Sequence, residues 1–358
     1  LPVILIVDAK GQSKSIAALV KGFRDYDSQI KIAGVVFNNV QTNRHKELLK
    51  DALESINVNY LGSLPDASEF RLPHIHLGLA PAHELKLAEE RINQWAKLAE
   101  TNLKIDLITQ LMDPPKTKQS PIHNLKIKFE REESKKLSIA IAEDEAFHFQ
   151  YPETKEYLEA YGFTTIKWSP MNNEEIPRDA LALFIPGGFP EKHAKEISNC
   201  NIMLNSLRAF SKTKSIYAEC GGMLLLGRSL FNMEGEQYKM AEILPFDSRI
   251  GDLKIGYRKI ICTKKSIISN TNDKLIGHEF HRWETHKINT GQIRNKIDYR
   301  TLSNEDLKAP WKIQGWGLKQ IDEGWSNHNI HASWIHLHLG SSLNIIKNWK
   351  EYILKIRV

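Results

Sequence analysis

Cysteine is scarce in this chain: three in 358 residues, at positions 200, 220 and 262. An odd number at unrelated spacings argues against a disulfide framework and for a reducing compartment, with the cytoplasm as the expected location. No apolar run comes near the ~20 residues that a membrane-spanning helix needs, and no signal peptide is evident, so a membrane is not an expected partner. Internal repeats and low-complexity segments are also absent. Basic residues outnumber acidic ones by 49 to 43, but they are spread through lysine-rich helices and loops. No basic stripe with interleaved aromatics forms, which speaks against nucleic acid; the net charge of +6 would suit a small polyanionic substrate. A methionine is missing from the first position too. The chain opens on Leu1 and runs at once into the apolar stretch VILIV, so the expectation is that a segment precedes it.

What is present is the composition of an ordinary soluble globular protein, 41% hydrophobic and 26% charged, with length enough for two or three domains. From Val3 onward, fully apolar strand-like runs (3–7, 31–37, 58–61) alternate with amphipathic helical patterns (about 14–24, 43–55), followed by helices from about 83 to 101 and 105 to 112. Such alternation predicts an α/β fold with a parallel sheet covered on both faces. Residues 113–136, DPPKTKQSPIHNLKIKFEREESKK, lose periodicity and read as a linker between a first domain at 1–112 and a second at 137–358. The second domain begins as another α/β unit, turns β-rich from about 238 to 335, and closes on a helix at 341–355.

Two stretches in the second domain carry chemistry. In Ser215–Leu226, SIYAECGGMLLL, an apolar run is broken by an acid, Cys220 and two glycines before a helical pattern resumes. That order predicts strand, sharp turn and helix, with the thiol at the turn and the helix N-terminus favouring thiolate. Cys220 alone reads equally well as a buried thiol beside a glycine turn. Ala332–Gly340, ASWIHLHLG, shifts the balance: period-two alternation puts Trp334, His336 and His338 on one face, as a strand-borne histidine partner to a cysteine nucleophile would be. His278, Glu279 and His281 sit too closely for two histidines to share a helix face as zinc ligands, so no metal is expected there. The tryptophans at 283, 311, 316, 325 and 334 are read first as core packing.

PGGFPE at 186–191, YAECGGMLLLG, GYR at 256–258, GHEFHRWE at 277–284 and ASWIHLHLGS resemble, in order, the C-terminal half of cobyrinic acid a,c-diamide synthases. LPVILIVDAKGQSKSIAALVKGF, IAGVVFNNV, Arg44–His45, GSLP and LPHIHLGLAPAHE resemble the N-terminal half of that family, so the likeness spans essentially the whole chain. It implies a P-loop-derived, dethiobiotin-synthetase-like parallel-sheet domain joined to a class I glutamine amidotransferase-like α/β domain. The implied activity is a carbon–nitrogen ligase of cobalamin biosynthesis. Glutamine is hydrolysed at a Cys/His pair, and the ammonia amidates the a and c carboxylates after ATP has phosphorylated them.

The resemblance implies Cys220 as nucleophile and His336, the first histidine of the H-x-H, as base, a choice that alternation cannot make. Backbone amides of Gly188 and Gly221 are the implied oxyanion donors. In the synthetase half, Asp8 at a strand end is the implied Mg²⁺ ligand, and Asn38 the residue reading the adenine edge of ATP. Partners implied are glutamine and a corrinoid polycarboxylate, with a homodimer as the candidate assembly.

The chain departs from the family in four places. Relatives carry a Walker A loop N-terminal to the point where this chain opens, and no such motif occurs in these residues; the expectation is a truncated chain that does not bind ATP normally as it stands. LPHIHLGL at 72–79 replaces LPERHLGL. His148 and Gln150 stand where relatives have Asn and Tyr. His338 occupies the position where the wider class I fold has a glutamate, which leaves the third member of the site open. Two other readings stay open: an a,c-diamide synthase acting on hydrogenobyrinic acid or nickel-sirohydrochlorin, and a glutaminase-like protein with an inactive synthetase half.

Overall fold

The computed structural model describes residues 2–66, 74–75, 78–79, 88–112, 137–288 and 309–356. The linker expected at 113–136 lies outside them, as do residues 72–73 and 76–77 of LPHIHLGL. The chain forms two compact units, Leu1–Lys118 and Gln119–Val358.

In the first unit, strands β1 (Val3–Asp8), β2 (Ile32–Val40) and β3 (Tyr60–Pro65) form a parallel sheet in the order β1-β2-β3. Helices Ile16–Tyr26 and Asn43–Glu54 make the crossovers, and their apolar stripes (Ile16, Val20, Leu49, Leu53) pack on Val7, Val35 and Phe37 of the sheet. The second helix starts where Thr42 Oγ1 accepts from the His45 N–H, an N-cap that satisfies one of its orphan donors. Two-residue strands β4 (His74–Ile75) and β5 (Gly78–Leu79) pair with each other, and helices Ala88–Asn102 and Ile105–Gln110 follow.

The second unit is built on two sheets. β6 (Leu137–Ala142), β7 (Phe163–Trp168), β8 (Ala182–Ile185), β9 (Ser215–Glu219), β16 (Trp325–Ser326) and β17 (Ile330–Ser333) form the first, in the order β16-β17-β9-β8-β6-β7. All neighbours in it are parallel except the β16–β17 pair. Alternate residues of its central strands enter two different cores, Ala140, Leu183 and Ala218 into one and Ile139, Phe184 and Tyr217 into the other. This is why those strands read as unbroken apolar runs. The second sheet joins β10 (Ser229–Phe231), β11 (Gln237–Lys239), β12 (Phe246–Cys262), β13 (Lys274–Lys287), β14 (Trp311–Gly315), β15 (Leu318–Glu323) and β18 (Ile335–His336).

Three expectations need correction. The run 332–340 is not one strand: β17 belongs to the first sheet and β18 to the second, and the chain crosses between them at Trp334. The helix after Cys220 is a single turn, Gly221–Leu224, too short for a substantial dipole, so what it offers the site is backbone N–H groups. Of the five tryptophans, Trp283, Trp311, Trp325 and Trp334 are indeed buried, but Trp316, at the β14–β15 hairpin, is 99% exposed. Among the described residues, no helix is long and apolar enough to cross a membrane.

His331 of β17 is fully buried against Tyr217 and Trp311, and among the described residues neither ring nitrogen has a hydrogen-bond partner. Burial, with a smaller contribution from Lys264, lowers its pKa from 6.5 to about 3. The unfolded chain therefore binds a proton that the fold refuses, and stability falls as the pH drops from about 6.5 toward 3, by about 1.4 kcal/mol per pH unit. His331→Leu is expected to remove about 2 kcal/mol of the stability lost between pH 7 and pH 5, read by urea unfolding at the two pH values. An unchanged difference between them would show that His331 is not the acid-sensitive group.

Candidate active site

Cys220 follows the last residue of β9 and adopts φ 46°, ψ −114°, a conformation that L-residues rarely take. Such strain costs about 1–3 kcal/mol and persists only where the surroundings impose it. Here the Cys220 N–H donates to Ser333 O of β17 at 2.7 Å, and the chain must turn at once into the following helix. A Cβ on Gly222 would lie 2.2 Å from Ile185 O, so only glycine lets the turn pass that close to β8. The thiol is thereby pinned at the C-terminal edge of the parallel strands, 3.7 Å from Phe280 O of β13.

His336 arrives from the other sheet. β18 pairs with β13, and the imidazole lies against the Cys220 sulfur within hydrogen-bonding reach. Burial alone would lower the proton affinity of His336, yet the Cys220 sulfur and the Glu219 carboxylate outweigh it and raise it. The other thiols are unlike this one: burial pushes Cys262 up to about 11 and also raises Cys200, and no histidine contributes to either shift. His338 does not share the site in the way His336 does; its ring meets the edges of Tyr151 and Tyr157 at 4.7 and 6.2 Å.

The PGG turn packs directly on this pair. A Cβ on Gly187 would come within 2.4 Å of His336 Cε1, and one on Gly221 within 2.7 Å of Gly188 O. Gly188 and Gly221 are thus brought together beside the thiol, and among the described residues neither N–H donates to a protein acceptor. Two such donors beside a thiol can receive an oxyanion that develops there.

Three features of the site were not anticipated. Glu219, the residue before Cys220, places Oε2 3.6 Å from His336 Nδ1; its signal is the acid in AEC. His278 stacks on His336 with ring centroids 4.7 Å apart, and its Nδ1 lies 3.1 Å from Tyr151 Oη. Phe149 and His336 form a T-shaped ring pair with centroids 4.9 Å apart, which places the AFHFQY segment beside the site. On the opposite side of β13, Glu279 is engaged by Arg258 Nε at 2.6 Å and His281 Nε2 at 2.8 Å, and His281 stacks on Trp334.

In the first unit, Asp8 and Asn38 are register partners at the C-terminal edge of β1 and β2, where ligands of open parallel sheets bind. Asp8 Oδ1 accepts from Asn39 Nδ2 at 2.9 Å and from the Lys10 N–H at 3.0 Å, which lowers its pKa. The Asn38 side-chain amide has no protein partner among the described residues. Those residues contain no group of three or more acidic, His or Cys side chains that could hold a metal alone. Mg²⁺ at nucleotide sites takes one or two carboxylates, with waters and phosphates completing the octahedron, so the exposed Asp8 carboxylate fits that role.

Two family models match the chain: the CobB/CobQ-like glutamine amidotransferase domain over residues 138–343, and the CobQ/CobB/MinD/ParA nucleotide binding domain over residues 6–77. Cobyrinate a,c-diamide synthase of Synechococcus sp. is 32% identical over 98% of this chain and 74% of its own length. The enzymes of that name from Synechocystis sp. and Listeria innocua are 31% and 34% identical over 99% and 94% of this chain, and 70% and 71% of their own.

Gly187→Ala is expected to displace the His336 ring while leaving the turn in place. The alkylation rate of Cys220 should fall about 10- to 100-fold with little change in melting temperature, since an ångström of misplacement costs on that scale. Unaltered alkylation would show that the turn does not hold the ring.

Proposed function

The chain belongs to the cobyrinate a,c-diamide synthase family of glutamine amidotransferases, and from that premise we propose that it carries out ATP- and glutamine-dependent amidation of the a and c carboxylates of cobyrinic acid. The observation that carries this reading is a thiol on a strained turn against a buried histidine, with two vacant backbone donors beside it.

The Cys220 thiolate attacks the amide carbon of glutamine, and the N–H groups of Gly188 and Gly221 take the charge that develops on oxygen. As the C–N bond breaks, His336 gives its proton to the leaving nitrogen and ammonia departs, leaving a thioester. His336, now neutral, takes a proton from water; the hydroxide attacks the thioester carbon, the C–S bond breaks, and glutamate leaves with thiolate and imidazolium restored. The dry surroundings of His336 strengthen each of these charge interactions.

In the synthetase unit, Asn38 offers both a donor and an acceptor to the adenine edge, and Asp8 supplies the carboxylate for Mg²⁺. Mg²⁺, when bound, neutralises phosphate charge during transfer to the substrate carboxylate. Attack of ammonia on the acyl phosphate then expels inorganic phosphate and leaves the amide.

Cys220→Ala, in the protein as its host expresses it, is expected to lose glutamine-dependent amidation by at least a factor of 10³ while keeping ammonia-dependent amidation within about twofold. The assay follows diamide formation from cobyrinic acid, ATP and Mg²⁺ with either nitrogen donor. Equal loss with both donors would mean that Cys220 is structural.

A further inference from the structure

We propose that Glu219 is the positioning residue that orients His336 and holds its proton, the third member of the site, in a role that rests on the amidotransferase reading of Cys220 and His336. The wider class I fold would put an acid at position 338. Here that position is a histidine turned to Tyr151 and Tyr157, so the carboxylate has to come from elsewhere.

Glu219 stands one residue before the nucleophile, at the end of β9, and is 3% exposed. Both of its oxygens are committed. Oε1 accepts from the Tyr217 hydroxyl, two residues back on the same strand, and from the Leu337 N–H at 3.1 Å, the residue after the histidine. Oε2 is then directed at His336 Nδ1, 3.6 Å away. That is an ion-pair separation slightly longer than a formed hydrogen bond, as catalytic contacts often are before substrate closes the site. With Nδ1 turned to the carboxylate, Nε2 is the ring nitrogen left to serve the sulfur.

The other groups around the ring cannot substitute. Cys220 is the reacting group; Gly187 and Phe149 meet the ring with apolar atoms. His278 stacks on it from β13 and is bonded to Tyr151, and its own proton affinity is lowered by burial and by the like charge of His336. Glu279 is held by Arg258 and His281. Among the described residues, Glu219 is therefore the acid that contacts His336. Glu219 and the Cys220 sulfur together favour the protonated ring of His336 against its burial. A single residue pair, Glu219–Cys220, thus supplies both the nucleophile and the acid behind its base.

Glu219→Gln keeps the size and one acceptor but presents an amide to His336. For glutamine hydrolysis, kcat is expected to fall about 10²- to 10⁴-fold with KM within about threefold. The basic limb of Cys220 alkylation by a diazo-ketone glutamine analogue is expected to move down by about one pH unit or more, because the imidazolium loses its counter-charge. A role confined to packing would lower the rate at every pH and leave the limb in place, and that result overturns the proposal. So does unchanged kcat. If thermal melting shows that Glu219→Gln does not fold, Glu219→Asp decides: the charge stays but is withdrawn, and a smaller shift of the limb in the same direction is expected, with no shift overturning the proposal. Wild-type Cys220 that resists the analogue would instead sink the amidotransferase reading, and the role of Glu219 with it.

Discussion

Everything at the site depends on a single corner, Ser333–Trp334, where the chain leaves the parallel sheet and enters the antiparallel one. The corner is tied down by a buried carboxyl group. Glu323 accepts from Ser333 Oγ at 2.8 Å and from the Trp334 N–H at 2.7 Å, while Ser333 O accepts from the Cys220 N–H. Burial pushes Glu323 up to about 8 despite those two donors, so the fold favours its protonated form across most of the acidic range. Because the group is more basic folded than unfolded, its stabilising contribution is full below pH ~4.5 and is lost as the pH rises toward 8. Three bonds around one corner therefore set the separation of two strands from different sheets, one holding the Cys220 backbone and the other carrying His336.

The glycines around the pair express the same constraint from the other side. Gly187, Gly188, Gly221 and Gly222 are each approached within 3.0 Å of where a Cβ would stand, by His336, Ala146, Gly188 and Ile185 in turn. Bare backbone lets two loops and a strand converge on one sulfur. The strained φ of Cys220 is the local cost of that convergence.

Much of this could be read from residues alone, and the exceptions have physical reasons. Unbroken apolar runs alternating with amphipathic helices gave the parallel sheets, because a strand buried on both faces has no polar period. The turn at Cys220 was legible in its glycines. The split of 332–340 was not: period-two alternation is the same whether a strand continues in one sheet or changes sheets, and the tie that breaks it comes from Glu323, ten residues before Ser333. Glu219 escaped notice because an acid at a strand end has many uses, and nothing local says that a histidine more than a hundred positions later will meet it. The spacing of His278, Glu279 and His281 speaks only to metal ligation, whereas the register of His278 opposite His336 is a property of two paired strands. The exposure of Trp316 follows from its place in a hairpin that no composition argument locates.

The crossing at Trp334 also fixes the order in which the site can come into being. β9, with Cys220 behind it, leaves the ribosome well before the strand that carries His336, and the turn at Cys220 has its backbone bond to Ser333 O. Until β17 docks beside β9, the thiol has neither its conformation nor its base. A nascent or half-folded chain thus lacks the paired thiol and imidazole, which come together only when both sheets have formed.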